Sequence, residues 1–366
     1  MVRSYVLDAI ASVMRRFRAA VRPVGGVQLL MIGDLQQLTP VVTPEEEKLL
    51  QQYYDTPYFF GSKALRSISY VTIELTHVYR QQDDTFINLL NNIREGHATA
   101  ADLQRLNRQC QPAFQPETGS DYIRLTTHNR MAESNNEEQL RNLPSKACTV
   151  RAETDGNFPE YSYPADFNLT LKKGAQVMFI RNDNNGRYYN GRIGHVTYVD
   201  SSKIVVLCPG DDEAIEVEAE TWENTKYTLN ERTKQIEAEV QGTFRQYPLR
   251  LAWAITIHKS QGLTFEHAII DAQAAFASGQ VYVALSRCKT LEGLVLASPI
   301  SSQAIINDSR VSDYIFHQTE QAARSIQALP ALKEEYYRQL LIELFFFKET
   351  DAPEAPPFSL PPDFSF

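Results

Sequence analysis

Residues 251–265, LAWAITIHKSQGLTF, run from an apolar stretch straight into Thr256, His258, Lys259, Ser260, Gln261 and Gly262. Hydroxyl, amide, ammonium and free backbone donors gathered at a strand end suit a phosphodiester backbone or a triphosphate. His258 alone reads as well as a packing histidine, but the Lys259–Gly262 run beside it favours the anion. Two arginines fit the same chemistry. Arg80 lies in HVYRQQDD, just after the apolar run VTIELT, and Arg287 ends the short apolar helix of VYVALSRCKTLEGLVL. A guanidinium reaches phosphate oxygens bidentately, as lysine cannot. Two of them make a pair of clamps on a transferring phosphoryl group. The alternatives are an ion pair of Arg80 with Asp83 or Asp84, and a salt bridge from Arg287 to a glutamate.

GDLQQLTP at 33–40 follows another apolar run, so Asp34 and Gln37 would emerge beyond the carboxyl end of a strand, where nucleotides lie in open α/β sheets. A glutamine there can sense a terminal phosphate or position a water without adding charge; an ordinary polar loop is the equal alternative. Asn129, Arg130 and Asn136 in THNRMAESNN, with Tyr188 and Arg192 in RYYNGRIG, suit gripping or stacking on a single strand. NNGR and YNGR also read as plain turns.

The elements that must position these residues have an α/β rhythm. Residues 2–20 predict a helix with Val2, Val6, Ile10, Val13, Met14 and Phe17 on one face, broken by Pro23 and Gly25–Gly26. Val27–Ile32 and 71–76 read as buried parallel strands, separated by a polar loop and short helix over 44–67. Helices follow at 86–93 and 100–110, then a strand at 122–127 and a helix opening near Asn129. Residues 144–170 read as a long connection or hairpin. From 171 to 222, short strands joined by glycine and asparagine turns predict a small antiparallel barrel, with an exit limb to about 247. The α/β texture returns at 249, 267–270 and 294–297. A helix over 318–347 carries Leu332, Tyr336, Leu340 and Leu344 as a stripe before a proline-rich tail.

The 366 residues have room for two domains and a small third, and 43% apolar with 22% charged residues marks a globular chain. A net charge of -9 does not announce a nucleic-acid protein, but a narrow basic groove can coexist with an acidic exterior. Cys110, Cys148, Cys208 and Cys288 are too scattered for a zinc site or disulfide framework. With no membrane-spanning run and no secretory signal, a cytoplasmic location is the default.

Taken in order, these segments resemble the superfamily 1B DNA helicases of the petite-integration-frequency type, relatives of the RecD subunit. The resemblance covers residues 1 to about 300. MVRSYVLDAIASVMRRFR through GDLQQLTPV looks like the family's signature stretch running into motif III, with Met1 as the last residue of the acidic magnesium-binding motif. LTHVYRQQDDTFINLLNNIREG looks like motif IV, LTTHNRMAESNN like motif IVa, AITIHKSQGLTF like motif V and YVALSRCKTLEGL like motif VI.

The resemblance implies a RecA-like NTPase fold. Residues 1–75 would be the later part of domain 1A, 76–170 and 248–300 domain 2A, 171–247 an inserted β-barrel domain 2B, and 301–366 a segment outside the motor. It implies ATP with Mg²⁺ as cofactor and single-stranded DNA as partner. The activity implied is 5′ to 3′ unwinding, in repair and recombination. Gln37, Arg80 and Arg287, with Asp34 and Gly262, would face the nucleotide; Arg80 and Arg287 would be arginine fingers. Asn129, Arg130, Asn136, Tyr188, Thr256, His258, Lys259, Ser260 and Gln261 would face DNA.

No GxxxxGKS or GxxxxGKT run occurs in the chain, so the loop that cradles the β- and γ-phosphates is not in this sequence. The expectation is an incomplete motor, inactive alone, from a gene break or gene-call error, a deliberate cut, or a half-protein completed by a missing N-terminal segment or a partner chain. The rival is a non-catalytic single-strand-binding module over 76–300. A related exonuclease or conjugative relaxase motor is weaker still.

Overall fold

A computed structural model describes residues 2–18, 21–117, 119–229, 232, 236–272 and 274–346. The N-terminal part holds α1 (Ser4–Phe17) and α2 (Pro44–Leu50), the latter started by a Thr43/Glu46 capping box. α3 (Asp84–Glu95) buries Phe86, Leu89, Leu90 and Ile93, a one-sided helical repeat, between an Asp83 N-cap and a left-handed Gly96. α4 (Ala100–Asn107), β1 (Ile123–Thr126) and α5 (Asn129–Asn142) follow.

Next come β2 (Cys148–Arg151), β3 (Glu153–Gly156), β4 (Asn168–Leu171), β5 (Gln176–Phe179), β6 (Ile193–Val199), β7 (Ile204–Leu207) and β8 (Ile215–Val217). A long hairpin, β9 (Glu220–Leu229) and β10 (Ile236–Gln246), leads to β11 (Leu249–Leu251). The chain then supplies β12 (Ala254–Thr256), β13 (Ala268–Asp271), α6 (Gln280–Leu285), β14 (Leu294–Leu296) and α7 (Ser309–Phe346).

Four strands form a parallel sheet in the order β12-β1-β13-β14. Ile123, Leu125, Ile255, Ala268, Ile270, Leu294 and Leu296 make one face apolar, and Ala254, Ile269 and Val295 are buried on the other, as a parallel sheet covered on both faces requires. Inserted into it, β5–β8 and β11 make a five-stranded antiparallel sheet whose core includes Val177, Phe179, Tyr188, Val206 and Leu249. Residues 144–170, expected as a long connection or hairpin, carry paired strands: β2 lies antiparallel to β4, and β3 adds to the β9–β10 hairpin. The expected exit limb is that hairpin. β11, beyond the expected boundary at 247, still belongs to the antiparallel sheet.

The N-terminal expectations need correction. Residues 27–32 and 71–76 form no strand: Leu30, Ile32 and Leu75 are more than three-quarters exposed. A strand exists only through a neighbour's hydrogen bonds, and among the described residues neither segment has one. α1 forms as expected but buries Ser4, Leu7 and Ala11, leaving Val2, Ile10, Val13 and Phe17 exposed. The start of the C-terminal segment packs on residues 58–72. Asp308 accepts from the Tyr58 hydroxyl at 2.9 Å, Tyr314 stacks on Phe60 at 4.3 Å, and Gln318 accepts from Thr72 at 2.7 Å. Met1, the side chains of Leu332, Leu340 and Leu344, and the proline-rich tail lie outside the described residues.

Candidate nucleotide and nucleic-acid interface

The carboxyl ends of β1 and β12 deliver the loops Thr127–Asn129 and Ile257–Gly262 side by side, because the strands pair in parallel with Thr126 opposite Thr256. Arg287 lies two residues beyond the end of α6 and is 2% exposed. Its Nε donates to the Val283 carbonyl at 2.9 Å, Nη2 to the Ser286 hydroxyl at 2.9 Å and Nη1 to the Leu263 carbonyl at 3.4 Å. Burial, then the charge of Arg80, push its pKa down to about 10. Arg80 donates from Nε to Thr264 Oγ1 and from Nη1 to the Ser286 carbonyl, each at 2.9 Å, and burial lowers its pKa too.

Among the described residues neither arginine is ion-paired. Asp83, a candidate partner for Arg80, instead caps α3. Two desolvated cations held close by neutral acceptors form a site short of negative charge.

Asp34 and Gln37 reach this site from the 33–40 loop. Gln37 donates to Asp34 at 3.1 Å and accepts from the Gln261 amide at 3.1 Å, tying the two predicted loops together. Asp34 also accepts from the Gln36 backbone at 3.0 Å and pairs with Arg94 at 3.3 Å. Gly279, with φ at 73°, lets the carbonyls of Gln36 and Gln37 approach the start of α6. Sequence reasoning missed Arg94, Gly279 and Thr264. Nothing in their local pattern signals a role that depends on a partner in another segment.

The strand-facing residues divide. Lys259, Gln261, Gly262, Asn129 and Arg130 are exposed, and His258 is half-buried. Gly262 has φ at 87°, with open space where a side chain would stand. Burial lowers the pKa of His258 and of Lys259, the latter also through Arg250.

Four residues expected as contacts turn their side chains into the fold. Thr256 is buried and its hydroxyl accepts from the Lys259 backbone at 3.3 Å, while Ser260, fully buried, donates to the Ile257 carbonyl at 2.8 Å. Both shape the turn. The Asn136 amide exchanges two 2.8 Å hydrogen bonds with Ala254, pinning α5 to β12. Tyr188 is buried and stacked on Phe179 at 4.0 Å, a core ring. Arg192 pairs with Asp211 at 2.5 Å.

A parallel α/β sheet that carries phosphate-suited loops at its carboxyl ends and an antiparallel insertion before its last three strands defines a RecA-like helicase unit. The chain is 35% identical over 342 residues to the human ATP-dependent DNA helicase PIF1, matching 89% of this chain and 48% of that protein. It is 31% identical to ATP-dependent DNA helicase Pif1 of Psychrobacter sp. (strain PRwf-1), over 81% of this chain and 52% of the relative. The structure of Bacteroides sp. Pif1 in complex with ADP-AlF4 matches with a TM-score of 0.77 at 39% identity, covering 88% of this chain and 74% of that one. Bacteroides Pif1 bound to ssDNA matches at 0.66 and 39% identity, over 86% and 72%. No protein-family model matches. The chain belongs to the PIF1 family of DNA helicases. It spans about half the length of the curated relatives it matches.

Proposed function

We propose that this chain carries the strand-gripping and terminal-phosphate-reading part of an ATP-dependent 5′ to 3′ DNA helicase. The observation that carries the reading is Arg287, 2% exposed, beside Arg80 and bound, among the described residues, by neutral acceptors alone. With its pKa near 10 it is still charged at neutral pH, and a buried cation of that kind calls for an anion. Relatives named as ATP-dependent helicases point to a nucleotide's terminal phosphate. ATP supplies the phosphoryl group to be transferred. Arg80 and Arg287 would stabilise the charge that grows on it, and Gln37 would offer its amide to the terminal phosphate or to a water. Lys259, Arg130, Asn129, His258, Gln261 and the Gly262 backbone would hold a single strand, chiefly by its phosphates.

Magnesium has no assigned ligand in this chain: among the described residues no group of three His, Cys, Asp or Glu could hold a metal ion, and Asp34 is spent on Arg94, Gln36 and Gln37. The cradle for the inner phosphates would come from polypeptide outside this sequence, a preceding segment or a partner chain. The apolar face of α1 and the unpaired segments 27–32 and 71–76 fit such a neighbour. Free thiols at all four cysteines fit a cytoplasmic, reducing setting, and among the described residues no helix is long and apolar enough to cross a membrane.

The test is steady-state phosphate release with single-stranded DNA present. The chain alone should turn over ATP at background rate, because arginine fingers act only on a phosphate that another element has placed. DNA-stimulated turnover near one per second, abolished by Arg287→Ala, would show that the chain needs no outside cradle. Without that cradle, a strand-binding module with no turnover is the second reading. Phosphate release that appears when a P-loop-bearing segment is added would decide for the motor.

A further inference from the structure

Between the β5–β6 loop and the residues that follow Gly262 lies a cleft of about 410 Å³, lined among others by Tyr189, Asn190, Arg192, Thr264, Glu266 and Lys289. Small-ligand sites run from about 300 to 1,000 Å³. Each charged side chain in its wall has a local polar partner. Lys289 binds Glu266, Arg192 binds Asp211, and Asp121 binds His267. Among the described residues of the lining neither cation, Arg192 or Lys289, is left free to draw a phosphate, so the lining suits an uncharged group that offers hydrogen-bond donors and acceptors. An aromatic ring stands at hand: Tyr189 is 62% exposed while its neighbour Tyr188 is buried. Asn190 is exposed beside it, and Gly262, the last residue of the HKSQG loop, forms part of the rim.

We propose that this cleft is a nucleobase site, in which one base of the bound strand stacks on Tyr189 and meets the Asn190 amide. The proposal rests on the single-strand reading above and adds a base contact to its phosphate contacts. The far wall is bonded to the arginine pair, since Thr264 accepts from Arg80 and the Leu263 carbonyl from Arg287. A base seated there would press on the same residues that hold both guanidiniums.

Fluorescence anisotropy of the whole chain at low salt tests this, with a labelled thymidine oligomer and its abasic counterpart of equal length. Tyr189→Ala should weaken binding of the thymidine oligomer about tenfold, roughly 1.4 kcal/mol. Tyr189→Phe should restore it, and the abasic strand should bind wild type and Tyr189→Ala alike. Equal thymidine affinity for wild type and Tyr189→Ala, with Lys259→Ala still weakening it, overturns the base site and leaves the strand reading standing. Equal weakening of both oligomers by Tyr189→Ala also overturns it, because no base is then being read. Absence of any binding by the wild type removes the strand reading, and the cleft with it.

Discussion

Gly279 fixes how closely the 33–37 loop can approach α6. A side-chain carbon there would stand 2.1 Å from the Gln37 carbonyl oxygen and 2.5 Å from that of Gln36, on a backbone with φ at 73°. Gly279→Ala should therefore destabilise by more than about 1 kcal/mol and loosen the Gln37–Gln261 contact, read as a lower urea midpoint and faster amide exchange over 33–40. An unchanged midpoint would mean that the loop yields freely. Asp183 makes a different kind of prediction. The Arg187 guanidinium, helped by the backbone amides of Arg187 and Asn185, holds its pKa at about 2. A carboxylate depressed on folding contributes stability above its unfolded pKa, about 3.9, and loses it as pH falls through the folded value. Stability should thus fall between about pH 4 and pH 2, and Asp183→Asn should flatten that part of the profile in urea titrations.

At the scale of elements, one local signal had two outcomes. The apolar runs at 123–126, 268–271 and 294–296 became strands because each found a parallel neighbour. Val27–Ile32 reads the same in sequence and has no strand partner among the described residues, since pairing is decided by a partner that periodicity cannot see. The site was legible to a similar extent. Arg80, Arg287, Gln37 and Gln261 announce themselves by type and position. The inward turn of Thr256, Ser260, Asn136 and Tyr188 depends on contacts across the fold. Residues 27–32 and 71–76, exposed and without ladder bonds, should exchange amide hydrogens well before 249–300. Uniformly slow exchange across both would show that the N-terminal part is held more firmly than its burial implies.

For the whole molecule, the net charge of -9 opposes long-range attraction to DNA, so binding should be modest and strongest at low salt. With about three phosphates neutralised, log affinity against log salt should slope near -2. Lys259→Ala should weaken binding alike for any base sequence and make that slope shallower, in anisotropy at two salt concentrations. A folded chain with no salt-dependent binding near ~20 mM salt would show that this chain does not hold DNA by itself and would dispose of the module reading. The grip of the C-terminal helix on residues 58–72 bears on how the chain is made. Tyr58 waits for Asp308, 250 positions later, and Thr72 for Gln318, 246 later. At a synthesis rate of roughly 5–20 residues per second, those partners are tens of seconds apart at the ribosome. During that interval Phe59 and Phe60 have no ring of Tyr314 to settle against, and the Tyr70 hydroxyl lacks the Tyr314 hydroxyl. Contacts of such long range close last and slow folding. The nascent N-terminal part is then the stretch most in need of a chaperone, and a stop codon before residue 309 would leave that need permanent.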